Sequence, residues 1–371
     1  MKTRFFTFLA MMLLGTAAMQ AQLLLEENFD YDAGRPLIMD AINSSDNYDG
    51  VTGWSTQNNT KAGTNCFNIT DAPLTYDGYI NSGIGNALKY NGEDGQGPFR
   101  LFSKNVKNDS TIYIAFMVNF PAEKVSGGDY FVGIKMSGSA TDTNWGSRIF
   151  ASVDPAYSGE EVSIGINKMS GGTTTWVNPS SGPFLAANTT HLFVLKYHVG
   201  IIAAETQAEE AGKYDDVMSL YINPPIDGIE PATPTLQHSD PNQYDLYRRS
   251  STGTVIGGAR AIYLRPSVAG NAPAYTIDGI RVGETWASVL PAPDGIAKAQ
   301  KSGIAYSIDN KIITLKSTDG YTAYELTGVT GQSLLKGTLT GNQIDASPLN
   351  AGLYILSLKG AQKQTAKIII R

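Results

Sequence analysis

Beyond Leu23 this chain of 371 residues has no stretch in which apolar residues recur at the helical period long enough to build a helix of useful length. Apolar and polar residues instead alternate in short runs, at 111–119 (TIYIAFMVN), 130–136 (YFVGIKM), 162–168, 191–198, 217–222, 261–265 and 275–283. Turn-forming clusters such as Ser126-Gly127-Gly128-Asp129 and Ser170-Gly171-Gly172 separate them. Many short strands at this spacing predict an all-β protein with a two-sheet sandwich. The one helical candidate, 203–214, carries Glu205, Glu209 and Glu210 and reads as an acidic excursion or a short helix between two strands.

Composition agrees. Hydrophobic residues make up 42%, enough for a core, while charged residues are only 17% and glycines number 39. The formal net charge of -6 gives no electrostatic grip on nucleic acid. Cys66 is the single cysteine, so it makes no intrachain disulfide and no paired-thiolate zinc site.

Residues 1–22 have the layout of a secretory signal peptide. Lys2 and Arg4 form a basic start, 5–14 is apolar apart from Thr7, and Gly15, Thr16, Ala17, Ala18 and Ala21 are small. The apolar run is too short to span a bilayer. Cleavage after Ala21 leaves Gln22; Met19 is large for its position, so cleavage after Ala18 stays open. No other stretch reaches transmembrane length. The texture changes at Pro291-Ala292-Pro293-Asp294-Gly295, the start of a linker over 291–303. A compact block of short strands follows at 304–371.

That block carries Thr327-Gly328 with Gly331, then Leu349-Asn350-Ala351 leading into Gly352-Leu353-Tyr354, then Lys367 before Ile368-Ile369-Ile370. In this it resembles the C-terminal sorting domain of the type IX secretion system, departing from the pattern at Glu325 and at the closing Arg371. The resemblance implies a small Ig-like β-sandwich whose sorting motif includes Gly328, Gly352, Tyr354 and Lys367. It implies passage across the outer membrane by the type IX machinery, then removal of the block, with release or linkage to surface lipopolysaccharide.

The region 22–290 has a second resemblance. Glu27-Asn28-Phe29-Asp30-Tyr31 with Gly34, Val51-Thr52-Gly53-Trp54-Ser55, Tyr79 with Ser82-Gly83, Gly85-Asn86-Ala87-Leu88, 216–224 (DVMSLYINP) and 277–283 with Trp286 follow in an order similar to the LamG/concanavalin A-like jelly-roll family. The resemblance implies a two-sheet jelly-roll sandwich and no particular activity.

No motif carries catalysis. The Glu-x-Asp-x-x-Glu triplet of jelly-roll glycanases is absent, as is a G-x-S-x-G elbow. Glu160-Glu161 and Asp215-Asp216 are adjacent, so within a strand each pair would point to opposite faces; they read as solvated turn or edge charges. His191 and His198 are an odd number apart and would also face opposite ways. In strand phase Asp278 shares a face with Ile280 and Val282, and a buried carboxylate needs a partner. Backbone N–H groups or Arg265 would serve; the alternative is a structural Ca²⁺ with Glu27 or Asp30 as co-ligands. Trp54 and Trp286 fall in fold motifs and are expected in the core. Trp145 and Trp176 lie in Thr-rich surroundings and are the candidates for stacking on sugar rings. The expectation is an exported cell-surface or secreted sandwich that binds a polysaccharide or surface glycan. The alternatives are a glycan hydrolase or lyase with acids from separate strands, and a structural surface or matrix protein.

Overall fold

The computed structural model describes residues 23–38, 52–57, 66–93, 95, 97–122, 125–139, 145–153, 161–169, 173–177, 184–202, 204–266, 274–292, 304, 306–318, 320–328, 331–360 and 363–370. The signal-peptide segment with Ala21 and Gln22, and nearly all of the linker, lie outside the described residues. The chain divides into two compact units, 1–293 and 294–371.

In the first unit the order is β1 (Leu25–Glu27), β2 (Ser55–Gln57), β3 (Phe67–Ile69), β4 (Leu88–Tyr90), β5 (Gly97–Val106), β6 (Ser110–Asn119), β7 (Val125–Lys135), β8 (Trp145–Val153), β9 (Glu161–Asn167), β10 (Thr175–Trp176), β11 (Leu185–Ala186) and β12 (Thr190–Val199). Helix α1 (Gln207–Glu210) comes next, then β13 (Val217–Ile222), β14 (Leu236–His238), β15 (Tyr247–Arg249), β16 (Val255–Gly257), β17 (Ala259–Leu264), β18 (Tyr275–Gly283) and helix α2 (Trp286–Val289). Every run read as a strand from its alternation is one. Between the strands β12 and β13 lies the short helix, capped by the Thr206 side chain.

The strands form two antiparallel sheets in a jelly-roll sandwich of the concanavalin type. The first sheet runs β14-β13-β12-β6-β18-β4-β3, with β1 also on β18. The second runs β10-β9-β8-β7-β17-β5-β2, with β11 also on β9. Phe116, Val118, Phe193, Leu195, Ile277 and Val282 of the first sheet meet Phe102, Ile134, Ile149, Ile164, Ile262 and Leu264 of the second in the main core.

The first sheet is also covered on its outside, which explains why β6 is apolar at nearly every position. Ile112, Ile114, Phe116 and Val118 point inward, while Tyr113, Ala115 and Met117 join a second cluster with Tyr79, Tyr221 and Trp286. Trp286 meets Tyr221 edge-on at 4.9 Å and Tyr113 at 6.2 Å. A capping box between Thr285 and Ser288 fixes the short helix that presents it.

The two sheets are joined by a buried carboxylate. Glu27, on β1 of the first sheet, is 4% exposed. Its Oε1 accepts from the Phe29 N–H at 2.7 Å. Its Oε2 accepts from the Tyr31 hydroxyl at 2.9 Å and from Trp54 Nε1 at 2.9 Å, and pairs with Arg100 on β5 of the second sheet. Phe29 takes a left-handed conformation, φ 48°, to turn its N–H back to that carboxylate. Trp54 is fully buried, as its place in a fold motif implied.

The second unit has β19 (Tyr306–Asp309), β20 (Ile312–Leu315), β21 (Tyr321–Gly328), β22 (Ser333–Thr338), β23 (Gln343–Asp345), β24 (Gly352–Gly360) and β25 (Lys363–Ile370). It is a small Ig-like sandwich of sheets β19-β20-β23 and β22-β21-β24-β25. Alternation along β24 sends Tyr354, Leu356 and Leu358 inward and leaves Leu353 and Ile355 exposed. Tyr354 donates its hydroxyl to the Asn350 carbonyl at 2.8 Å, and Lys367 is exposed. Gly328 ends β21 and Gly352 begins β24, at strand ends as expected. Neither has positive φ, so a left-handed backbone does not explain them; in this turn region Gly331 does, at 84°.

Removing the Glu27 carboxylate would strand a guanidinium, an indole N–H and a backbone N–H together. Glu27→Ala should cost the lower end of the roughly 3–5 kcal/mol typical of a broken buried pair, because Arg100 keeps some access to water. All four tryptophans lie in the first unit, so urea unfolding followed by tryptophan fluorescence measures this loss without reporting on the second unit.

Candidate functional site

The outer face of the second sheet is built differently from that of the first. Alternate residues of its strands turn their side chains away from the core, and these include Phe99, Tyr130 and Tyr263, with Trp145 and Phe150 packed against them. Strand pairing sets the row. Trp176 stands opposite Gly165, Gly165 opposite Phe150, and Phe150 opposite Tyr130. Trp176 and Phe150 are 6.0 Å apart and Phe150 and Tyr130 5.7 Å, between ring centroids. Beside this row Trp145 stacks on Tyr263 at 5.1 Å and 20°.

Glycines inside the strands make room for these rings. A Cβ on Gly165 would come within 2.7 Å of the Trp176 ring, and one on Gly128 within 2.5 Å of its far edge. A Cβ on Gly97 would overlap the Tyr263 ring. Trp145, Arg148, Phe150, Trp176 and Arg265 are half-buried, so each keeps part of its surface open.

Two guanidinium groups flank one ring. Arg148 lies 4.7 Å and Arg265 4.4 Å from the Tyr130 centroid. Arg265 donates from Nη1 to the Tyr130 hydroxyl at 2.9 Å and from Nε to Asp129 Oδ2 at 3.2 Å. Asp129 Oδ1 accepts from the Tyr130 N–H at 2.8 Å, so both its oxygens are engaged. Burial pushes the Tyr130 phenol up to about 12, against the pull of Arg265 and Arg148. Burial also lowers Arg148. Arg148 Nη2 donates to the Trp145 carbonyl at 3.3 Å, and its Nε has no acceptor. Trp145 Nε1 has none either.

Both tryptophans expected to serve a ligand, Trp145 and Trp176, therefore lie on one face. The residues expected to hold calcium do not converge. Glu27 is held in the inter-sheet network, and Asp30 is exposed. Asp278 is buried elsewhere, taking the Leu74 N–H at 2.9 Å and the Gly279 N–H at 2.6 Å. Its expected face is also corrected. A bulge at Gly279, φ 61°, shifts the phase, so Ile277, Ile280 and Val282 enter the main core while Asp278 and Arg281 sit against Met117 and Ala115 on the outer side. Arg265 is not its partner but that of Asp129.

Among the described residues the one grouping of three carboxylates is Asp215, Asp216 and Asp245. Asp216 is fully buried rather than solvated, a second correction to the sequence reading. It accepts from the Tyr197 hydroxyl at 2.6 Å, the Gly200 N–H at 2.6 Å and the Leu246 N–H at 2.9 Å. Lys168, equally buried, binds Asp245 Oδ1 at 2.7 Å and supplies the positive charge the cluster needs. This is an internal tie between loops. His191 is buried against Asn223 and the Ala186 carbonyl, and His198 points the other way, towards Thr111 and Asp109.

No family model and no curated protein matches the sequence. Solved structures with a similar course of chain include the T. cruzi calreticulin globular domain, 11% identical, at a TM-score of 0.40 over 72% of this chain and 91% of that one. Alginate lyase Aly36B is 14% identical, at 0.37 over 70% and 96%, and an endo-β-1,4-glucuronan lyase from the fungus Trichoderma reesei is 9% identical, at 0.36 over 65% and 98%. Likeness at this level assigns no ligand or activity to this chain.

Asp278 gives the fold a pH dependence. Burial raises its carboxyl from 3.8 to about 8, against the two backbone N–H bonds. The folded protein thus holds a proton that the unfolded chain releases above about pH 4. The stability this contributes is complete below that pH and is lost as pH rises through about 8. Asp278→Asn, which keeps the shape of the neutral acid, should flatten the fall in urea midpoint between pH 4 and 8. It should also leave the variant the more stable of the two at pH 8.5.

Proposed function

We propose that the first unit is a glycan-binding β-sandwich and that its ligand lies along the outer face of the second sheet. The observation that carries this is the row Trp176, Phe150 and Tyr130, seated on strands cleared by glycines and flanked by arginine donors. Sugar rings present an apolar face that stacks on aromatic rings and hydroxyls that accept from guanidinium N–H groups. Binding is favoured over turnover by the state of the polar groups. Tyr130 holds its proton tightly, and both oxygens of Asp129 are occupied. Retention on gels containing polysaccharides tests the reading. Trp176→Ala should weaken retention roughly three- to tenfold, the equivalent of one stacking contact, with the urea midpoint unchanged. Equal retention would move the ligand away from this face.

The same proposal takes the chain out of the cell. Residues 1–21 act as the signal peptide and 304–371 as the type IX sorting block, which accords with a second unit that has its own core. In a host carrying that machinery, deleting 304–371 should leave the first unit folded and held in the periplasm. Immunoblots of culture fluid and cell fractions decide it, and undiminished appearance outside the cell refutes the sorting role.

A further inference from the structure

The glycan-binding reading leaves open which sugars this face would select, and Arg148 bears on that choice. Among the described residues the aromatic cluster is in contact with two guanidinium groups and the Lys135 ammonium, 5.2 Å from the Phe99 centroid, but with one carboxylate, and that carboxylate is spent. Asp129 gives one oxygen to Arg265 and the other to a backbone N–H. Arg148 forms no ion pair with any described residue; its one acceptor is the Trp145 carbonyl, and its Nε is unpartnered. A half-buried cation without a counter-ion is costly to keep, since desolvation penalises the charge and the Tyr130 ring and one carbonyl return only part of the energy. Among the described residues Arg248 is in a similar state, its Nε unpartnered and its Nη1 on the Asp245 carbonyl, but it is buried beside Tyr244, whereas Arg148 is half-buried beside Tyr130. Other cations are paired: Lys168 has Asp245, Arg281 has Glu26, Arg265 has Asp129 and Arg100 has Glu27. This excess of positive charge stands in a protein whose formal net charge is -6.

We propose that Arg148 is the anion-recognising group of this face, and that the ligand is an acidic polysaccharide whose charged substituent pairs with its guanidinium while the sugar rings lie on Trp176 and Phe150. The planar fork of arginine suits the two oxygens of a uronate carboxylate or of a sulfate ester. The Tyr130 ring beneath holds the fork in place and spares it the entropy of ordering on binding. Among the described residues the one carboxylate in the cluster, Asp129, is neutralised by Arg265.

The inference rests on the glycan-binding reading, and one experiment separates their failures. The full chain is run on affinity gels containing polygalacturonate, the same polymer with its carboxyls reduced to hydroxyls, a sulfated galactan and its desulfated form. Wild type, Arg148→Gln, Arg148→Lys and Trp176→Ala are compared, with urea midpoints as the control for folding. The expected result is retention by a charged polymer at least tenfold stronger than by its neutral form, weakening as salt is raised. Arg148→Gln should erase that preference, and Arg148→Lys should restore part of it. Preference for polygalacturonate identifies a carboxylate, and preference for the galactan a sulfate ester. Equal retention of charged and neutral forms, lost in Trp176→Ala but unchanged in Arg148→Gln, would overturn the acidic ligand and leave the binding face standing. If no polymer is retained by the wild type, both fall together. If Arg148→Gln alone unfolds, the contrast between wild type and Arg148→Lys still decides: unequal salt dependence supports the pairing, and identical behaviour on charged and neutral gels refutes it.

Discussion

The sandwich depends on one carboxylate that joins its halves. Glu27 leaves the first sheet on β1, whose Leu25 and Glu27 pair with Val282 and Ile280, and it meets Arg100 and Trp54 of the second. Hydrophobic burial is non-directional and would allow the sheets to slide. A buried ion with four defined donors does not, because every displaced bond leaves a polar group without water. The network orders the entry of the chain too. Phe29 is held at positive φ, Tyr31 reaches the Thr52 carbonyl at 3.0 Å, and the turn before β2 is pinned to the turn after β1.

With the sheets registered, their outer faces diverge. Tyr79, Tyr221 and Trp286 close that of the first, and β6 and β12 are apolar on both sides as a result. The second carries half-buried Trp145, Arg148, Phe150 and Trp176 beside buried Phe99, Tyr130 and Tyr263. On β8, Ile149 and Ala151 enter the core while Arg148 and Phe150 turn outward.

Alternation and turn chemistry made the strands legible, because both are local properties of the chain. The elements at 217–222 and 275–283 match to the residue. What needed the third dimension was phase and partnership. Strict alternation puts Asp278 on the wrong face because a single bulge at Gly279 reverses the pleat, and the lone glycine inside an apolar strand is the one local signal for it. Asp216 looked like a surface acid because its neighbour Asp215 is one, and its donors come from Tyr197, Gly200 and Leu246, distant in sequence. Glu27, Asp30 and Asp278 could be grouped as calcium ligands on the adjacency of first and last strands, but two of those carboxylates are consumed by separate networks. Trp145 and Trp176 stand out in the sequence by their polar flanks, and both are half-buried beside the aromatic row. Tyr130, Arg148 and Arg265 do not stand out, since each sits in an ordinary strand pattern and only the order β9-β8-β7-β17 makes them neighbours.

The choice of arginine on that face follows from the surroundings. A lysine ammonium is a compact, strongly hydrated charge, and holding it beside Tyr130 would cost more desolvation than a delocalised guanidinium does. On the buried Lys168 the fold spends a carboxylate and the carbonyls of Tyr214 and Asp240, while Lys135, equally buried, lies 5.2 Å from the Phe99 centroid. No equivalent set surrounds Arg148, whose stabilisation comes from the Tyr130 ring and the Trp145 carbonyl. Partial stabilisation of this kind keeps the cation in place yet leaves it receptive. Full pairing, as at Arg265, would have removed the field that an incoming anion feels. The difference between two arginines on the same ring, one neutralised by a described carboxylate and one not, is thus the feature on which the proposed selectivity rests.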